Sequence, residues 1–539
     1  MCGVINMRFY GEAIFKLSKQ PPKECIEELK GTLEKLNNDI LLKGAKKPED
    51  GAKIIEFKSE NSELLFKIES GRVVPVHVAA LRIKNNIISL LGKKYKIGIR
   101  SLTLRNVRIE LEEEFSVNIE IPIVEKIETS HGKTVIVLKT LEDTLLQKPI
   151  LQRLIALVEE KEQRRKWGGK IEHWRKIKES RRKQILFTED PNIVLERIGW
   201  IYNIAPGQWF YTPPFTYIFR KFEEMLIDII LKPLGFVEAI FPKMEPLEIG
   251  LKTGHLKGTP NQMVFASLPI SYNIEEFETW QDYISIYGEA DPKLLQEFIE
   301  PPRYYLCFAQ CPPFYRFLSK TIFTDKHIPL KWFDRSGPSF RWEGTGGLRG
   351  IERLVEFHRV EIVWLGTPEQ VIEIRNQLLE KYEYFMDKVL DLEWRWAWVT
   401  PWFLVHAGET EEMAEKIDIN QPGTIDFEAY LPYKGDRNDP RNWLEIGNIS
   451  IHGAKYTKAF RIRHAAGKIL WTGCSGFGIE RWVLAFLAQK GFDKDTWPKI
   501  VRDYLRDIPE GMEASNYPRP QYLDLKRDIE RKVRGQSRK

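Results

Sequence analysis

Between Phe340 and Glu361 the chain reads FRWEGTGGLRGIERLVEFHRVE, two runs of alternating chemistry separated by four glycines. The pattern predicts two antiparallel strands joined by a mobile loop. Alternation places Arg341 and Glu343 on one face of the first strand, and Arg353, Val355, Phe357, Arg359 and Glu361 on one face of the second. Two cations, an aromatic ring and an acid on one side are poor material for a packed core. They suit a nucleoside triphosphate, which needs an arginine at the α-phosphate, a flat ring for the base and carboxylates for a metal or an amine. A solvated sheet face with cross-strand ion pairs would account for the charges, but not for Phe357 among them.

The rest of the chain bears on whether such a site is present. At 539 residues two or three domains are expected. The hydrophobic share of 43% and charged share of 29% are those of a water-soluble globular protein. No apolar run is long enough to span a membrane, and the N-terminal MCGVINMRFYGEAIF lacks the pattern of a secretory signal. Five scattered cysteines argue against a disulfide framework and for a reducing, cytoplasmic setting. Residues 161–183 carry eleven Lys or Arg against three Glu, a local density that suits a polyanion.

Three domains or segments are expected. Residues 1–150 form an α+β domain, with an amphipathic helix at 22–44 followed by strands IIEFKSE, ELLFKIE, VVPVHVAALRI, SLTLRNVRIEL and KTVIVLK. Residues 151–189 form a basic helical linker, and 190–539 the catalytic domain with a basic C-terminal tail. Within the last, an apolar helix at 214–231 leads into FVEAIFPKM, where Pro242 suits an edge or an interface because it cannot donate to a ladder. WTGCSGFGIERWVLAF at 471–486 is a small-residue strand running into a helix, with Glu480 and Arg481 at the junction. WLEIGNISIHG at 443–453 offers Glu445 for Mg²⁺ on a triphosphate and, nearby, the Asn448 amide. In this order the three larger segments resemble motifs 1, 2 and 3 of the class II aminoacyl-tRNA synthetases. The resemblance implies an antiparallel catalytic sheet flanked by helices, an α+β fold throughout.

Motif order places Glu361 and Cys474 in one site, and Cys311 precedes motif 2 in CFAQCPPFY. Two thiolates and a carboxylate suit Zn²⁺ and leave one coordination position open for a substrate amine. Cys307, four residues earlier, competes with Cys311 for the role, and buried cysteines also serve as small hydrophobes.

Together the AQCPPFY text, the RWEG–GLRGIERL–EFHRVEIVW block and the CSGFG text resemble the methanogen-type, or type 2, seryl-tRNA synthetases over essentially the whole chain. The long heptad arm of the ordinary seryl enzymes has no counterpart here. The resemblance implies ATP-dependent attachment of L-serine to tRNA(Ser), with selenocysteine tRNA as a second candidate, through a seryl-adenylate in a cytoplasmic homodimer. It implies one Zn²⁺ per subunit on Cys311, Glu361 and Cys474, binding the serine amine, and Mg²⁺ with ATP. The ATP residues it implies are Arg341, Glu343, Arg353, Phe357, Glu445 and Arg481, with Arg341, Glu343 and Arg481 catalytic. Serine would meet Glu343, Arg359, Asn448 and Trp402. The N-terminal domain and Arg164, Arg165, Lys166, Arg175, Lys176, Arg181 and Arg182 would hold tRNA. Competing readings are a ligase for threonine or phosphoserine, a carrier-protein aminoacylating relative, or a tRNA-binding paralogue. A threonyl site would be expected to have His among its zinc ligands, and none of the nine His occupies a matching place in the sequence.

Overall fold

The computed structural model describes residues 7–115, 119–166, 174–342, 347–399 and 418–511; the side chains of 160 and 162–166 lie outside that description. The chain divides into two compact units, Met1–Ile171 and Glu172–Lys539.

In the first unit the strands Met7–Leu17, Ala52–Glu60, Glu63–Ser70, Ile99–Leu111, Val124–Ser130, Lys133–Leu138 and Leu141–Glu142 form one antiparallel sheet. Met7–Leu17 is central, paired with Glu63–Ser70 on one side and Ile99–Leu111 on the other. Alternate residues Phe9, Ala13, Phe15 and Leu17 are buried, which is the period-two pattern of a sheet with one face on a core. The helix Lys23–Lys35 contributes Cys25 and Leu29 to that core. One expected strand is a helix instead: VVPVHVAALRI continues into Val76–Ser89. Pro75 precedes its first residue, and Val76, Ala79, Ala80, Ile83 and Ile87 make a buried stripe at three- and four-residue spacing. Packing of that stripe overrides the β preference of the valines.

Among the described residues of the stretch expected to be a helical linker, helix runs over Ile150–Lys166 and is not found from Trp174 onward. Trp174–Glu179 is a strand at the edge of the second unit's sheet, antiparallel to Trp394–Val399. Side chains decide this. The Arg395 guanidinium lies between the rings of Trp174 and Trp443, 4.6 and 4.4 Å from their centroids. Trp174 Nε1 donates to Glu428 Oε1 at 2.8 Å. Basic composition alone does not distinguish helix from edge strand.

The second unit is built on a nine-stranded sheet. Its order is Val237–Glu238, Leu330–Asp334, Glu356–Gly366, Trp471–Gly478, Trp443–Gly453, Gly423–Tyr430, Trp394–Val399 and Trp174–Glu179, with Pro338–Phe340 also paired to Glu356–Gly366. All pairs are antiparallel except the first. The helices Pro213–Leu226, Pro368–Tyr384 and Ile479–Lys490 bury apolar faces in one large core with Trp364, Phe427, Phe477 and Trp482. Pro242 sits on exposed backbone between the short strands Val237–Glu238 and Met244–Pro246, not inside a strand. Among the described residues no helix is long and apolar enough to cross a membrane.

Candidate active site and metal centre

Strand register assembles one chemically rich sheet face. Phe357, Arg359 and Glu361 alternate along Glu356–Gly366. Glu361 pairs with Gly476, and Gly476 pairs on its other side with Asn448. Asn448 pairs in turn with Asp426. Cys474, two residues before Gly476, shares its face. Cys311 reaches the same place from the residue preceding the short helix Pro312–Phe317.

The ligand atoms of Cys311, Glu361 and Cys474 lie within 4.8 Å of one another. All three residues are nearly out of solvent, at 6%, 3% and 9% exposure. Hydrogen bonding with Cys311, burial and the Glu361 charge push the Cys474 thiol well up. Burial also raises the Glu361 carboxyl against the pull of Arg359. Three acidic groups crowded in a dry place repel one another's negative forms, and a divalent cation resolves that repulsion. Two sulfurs and one oxygen are a donor set that fits zinc. Cys307 stands apart: its sulfur faces Ser339 Oγ at 3.7 Å and Ala309 O at 3.5 Å, and burial with the Glu245 charge pushes it up to about 12.

Arg359 is fixed by its surroundings. Its Nε is 3.4 Å from Glu361 Oε2, its Nη2 donates to Phe308 O at 2.9 Å, and Nε reaches Gln310 Oε1 at 3.3 Å. The guanidinium also lies 5.5 Å from the Phe357 ring centroid. Arg341 follows the strand Pro338–Phe340, donates its backbone N–H to Val355 O, and holds its guanidinium 4.7 Å from the Phe308 ring centroid. Arg481 donates from Nε to Glu352 O and from Nη1 to Glu445 O, both at 2.9 Å, and Nη1 is 3.5 Å from Glu445 Oε2. Asn448 Nδ2 reaches Glu445 Oε1 at 3.5 Å.

The strands are shorter than the alternating runs: the first ends at Phe340 and the second starts at Glu356, so Arg341, Arg353 and Val355 lie outside them. Exposed Arg353 belongs to a turn closed by paired backbone bonds with Arg349. Val355 is held between two partners, accepting from Arg341 N–H and donating its own N–H to Gly207 O of the hairpin that joins Ile201–Ala205 to Gln208–Tyr211. Glu343 and Trp402 lie outside the described residues, as do the side chains of Arg164, Arg165 and Lys166. Arg175 and Lys176 are exposed on the edge strand, with Lys176 3.0 Å from Glu179; Arg181 and Arg182 are exposed just beyond it.

Three further residues escape a reading by motif. Asp426 lies beside Glu445, Glu428 and Arg481, and burial with the two carboxylates raises its pKa well above the ordinary range. Its only sequence signal was a pair of acids, Asp426 and Glu428, at alternate positions of the strand-like run GTIDFEAY. Buried Glu352 accepts from Lys434 Nζ at 2.6 Å and from the Tyr433 hydroxyl, pairs in charge with Arg349 Nε at 3.3 Å, and its carbonyl holds Arg481. His452 places Nε2 3.4 Å from Cys474 Sγ, so one histidine does reach the trio, though it is outside the set of three.

A tRNA-binding domain model matches residues 7–160, and a model of the tRNA synthetase class II core domain (G, H, P, S and T) matches residues 298–490. The type-2 serine–tRNA ligase of Methanococcoides burtonii is 41% identical over 514 residues, covering 94% of this chain and 99% of that protein. That of Methanothermobacter thermautotrophicus is 34% identical, covering 94% and 98%. Among solved structures, M. kandleri SerRS in complex with A. aeolicus tRNASec matches with a TM-score of 0.78 at 29% identity, covering 95% of this chain and 100% of that one.

Proposed function

Because the chain belongs to the type-2 serine–tRNA ligase family, we propose that it attaches L-serine to tRNA(Ser) in two steps. Serine is first activated by ATP to a seryl-adenylate, and the seryl group then passes to the terminal ribose of the tRNA. Selenocysteine tRNA is a second acceptor. The observation that carries this reading is the convergence of Cys311, Glu361 and Cys474 on the sheet face that also bears Arg359, Asn448 and Asp426.

When bound, a zinc ion on Cys311, Glu361 and Cys474 supplies a Lewis-acidic position open to a neutral amine. Arg359 holds the Glu361 carboxylate in place and keeps its charge compensated. Asn448 presents a polar surface to a small amino acid, and the family resemblance assigns Glu343 and Trp402 to the same substrate. Arg341 sets positive charge where the α-phosphate gains negative charge during in-line attack by the serine carboxylate, and Arg481 closes over the adenine opposite Phe357. Arg353 meets the phosphates from its turn. Glu445, with Asp426 beside it, offers carboxylates to the Mg²⁺ that accompanies ATP. Phe357 gives the adenine a ring to stack on. Little covalent work falls to the protein; position and charge do most of it.

The same groups bear on selectivity. Alanine would leave a polar group in the pocket unpaired, a strong penalty, whereas threonine is excluded only by the bulk of one methyl. We assign the exposed apolar residues Val237, Ile240 and Met244, around Pro242, to the contact with a second copy of the chain. The setting is cytoplasmic.

Charging of tRNA(Ser) with labelled serine, threonine and phosphoserine tests the reading. Serine is expected to be transferred well above the other two. Transfer of phosphoserine or threonine in preference to serine would overturn it.

A further inference from the structure

We propose that His452 is a positioning residue for Cys474, holding its sulfur toward Cys311 and Glu361 through a ring-nitrogen contact. This rests on the reading of the trio as a metal centre and adds a residue which that reading does not use.

The backbone is built to deliver this ring. Ile451 pairs with Gly473 and Gly453 with Thr472, so His452 is the extra residue of a β-bulge. Gly453 follows at φ +60°, a conformation that glycine adopts without strain. Bulges re-aim a side chain at the cost of a ladder position, and they collect beside functional sites. Here the re-aimed imidazole is 3% exposed, with Nε2 3.4 Å from Cys474 Sγ.

The other edge of the ring is anchored. Nδ1 lies 3.1 Å from Thr472 Oγ1 and 3.4 Å from the Tyr315 hydroxyl. Tyr456 packs at 4.8 Å and Tyr315 at 6.0 Å between centroids, both edge-on to the imidazole. Tyr315 and Tyr456 are themselves stacked at 4.4 Å. Hydroxyls donate or accept with equal ease. The ring can therefore accept from a Cys474 thiol through Nε2, or turn an Nε2–H toward a metal-bound thiolate. In either state the sulfur has a fixed neighbour besides Cys311 and Glu361. Outer groups of this kind orient ligands and tune their electron density, and losing one weakens metal binding about 10–100-fold.

The test uses the full-length protein and two metals alone. Zinc affinity is measured by chelator competition for wild type, His452→Phe and His452→Gln, and each protein is then loaded with Co²⁺ and its sulfur-to-cobalt charge-transfer absorption recorded. The expected result is about 10–100-fold weaker zinc binding in His452→Phe, a displaced cobalt band, and partial recovery of both in His452→Gln. Wild-type affinity and an unchanged cobalt band in His452→Phe would overturn the proposal. If His452→Phe does not fold, Thr472→Val removes one anchor and leaves the imidazole; it is expected to shift the band and weaken binding by a smaller factor, and wild-type values there would also overturn the proposal. A wild-type protein that binds neither metal would remove the metal centre itself, and the proposal with it, which separates that failure from the loss of the His452 contact alone.

Discussion

Two glycines of one strand, three residues apart, are small for different reasons. A Cβ on Gly473 would sit 2.3 Å from the ring of Trp364, a fully buried side chain of the main core. A Cβ on Gly476 would meet Arg359 Cδ at 3.7 Å, Glu361 Oε2 at 3.8 Å and Arg359 Nη1 at 3.9 Å, all ordinary contact, on the side where the amino acid is proposed to lie. Gly473→Ala is therefore predicted to destabilise the protein by about 3 kcal/mol, the upper part of the range for overpacked cores. Gly476→Ala is predicted to leave stability within about 1 kcal/mol of wild type while raising the KM for serine. Chemical denaturation and serine-dependent kinetics on both variants check this, and a reversed pattern would mean the substrate lies elsewhere. A motif reading treats the two positions as one small-residue run; three residues apart on a strand, they point to opposite faces, and the residues of the one neighbouring strand, Trp364 against Arg359 and Glu361, separate them.

At the scale of elements, the union of the motif 2 strand with the motif 3 helix matters most. His358, between Phe357 and Arg359, points to the opposite face from them. Its backbone N–H and Nδ1 both lie 2.9 Å from Glu480 Oε1, and Tyr211 donates to the same carboxylate at 3.2 Å. The buried Glu480 precedes Arg481, so this clamp sets where Arg481 emerges relative to Arg359. Burial alone would lower the His358 pKa, as would nearby Arg220. The hydrogen bond to Glu480 and its charge outweigh both, with help from Glu356, and hold it above the ordinary 6.5. A raised imidazole pKa gives stability that is complete below the unfolded value and is lost as pH rises through the folded one. The stability deficit of His358→Gln is accordingly predicted to be larger at about pH 5.5 than at about pH 8.5. An equal deficit at both, measured by denaturant titration, would contradict the assignment.

Legibility in the sequence follows the same division. Phe357, Arg359 and Glu361 could be picked out because they stand in one short run where alternation predicts a shared face, whereas Cys311, Glu361 and Cys474, far apart along the chain, were joined only by the order of the motifs and the family resemblance. Asp426 and His452 could not. Asp426 matters through its pairing with Asn448, 22 positions away, and His452 through a bulge that changes the register beside Cys474. The helix Val76–Ser89 was hidden by its valines, and the edge strand Trp174–Glu179 by a basic composition that helices share. In each of these cases a contact distant in sequence outweighed the local preference.

At the scale of the whole molecule, the basic stretch 161–183 spans the division between the two units at Ile171 and Glu172. Arg175, Lys176, Arg181 and Arg182 are all exposed, and the 3.0 Å Lys176–Glu179 contact is a surface pair of small worth. Changing these four to Glu is predicted to raise the KM for tRNA, and to do so less at high salt, while serine-dependent ATP–pyrophosphate exchange stays within about twofold of wild type. An equal loss in both assays would point to damage at the sheet edge rather than to lost phosphate contacts.

The central claim is that two sulfurs and a carboxylate, drawn together on the catalytic sheet, select serine through a bound metal. The most direct measurement is amino-acid-dependent ATP–pyrophosphate exchange with serine, threonine, alanine and phosphoserine, before chelation, after chelation and after zinc is restored. The account predicts exchange with serine far above the other three, its loss on chelation and its return with zinc. Exchange with phosphoserine alone, or serine exchange that persists in fully metal-free protein, would contradict it.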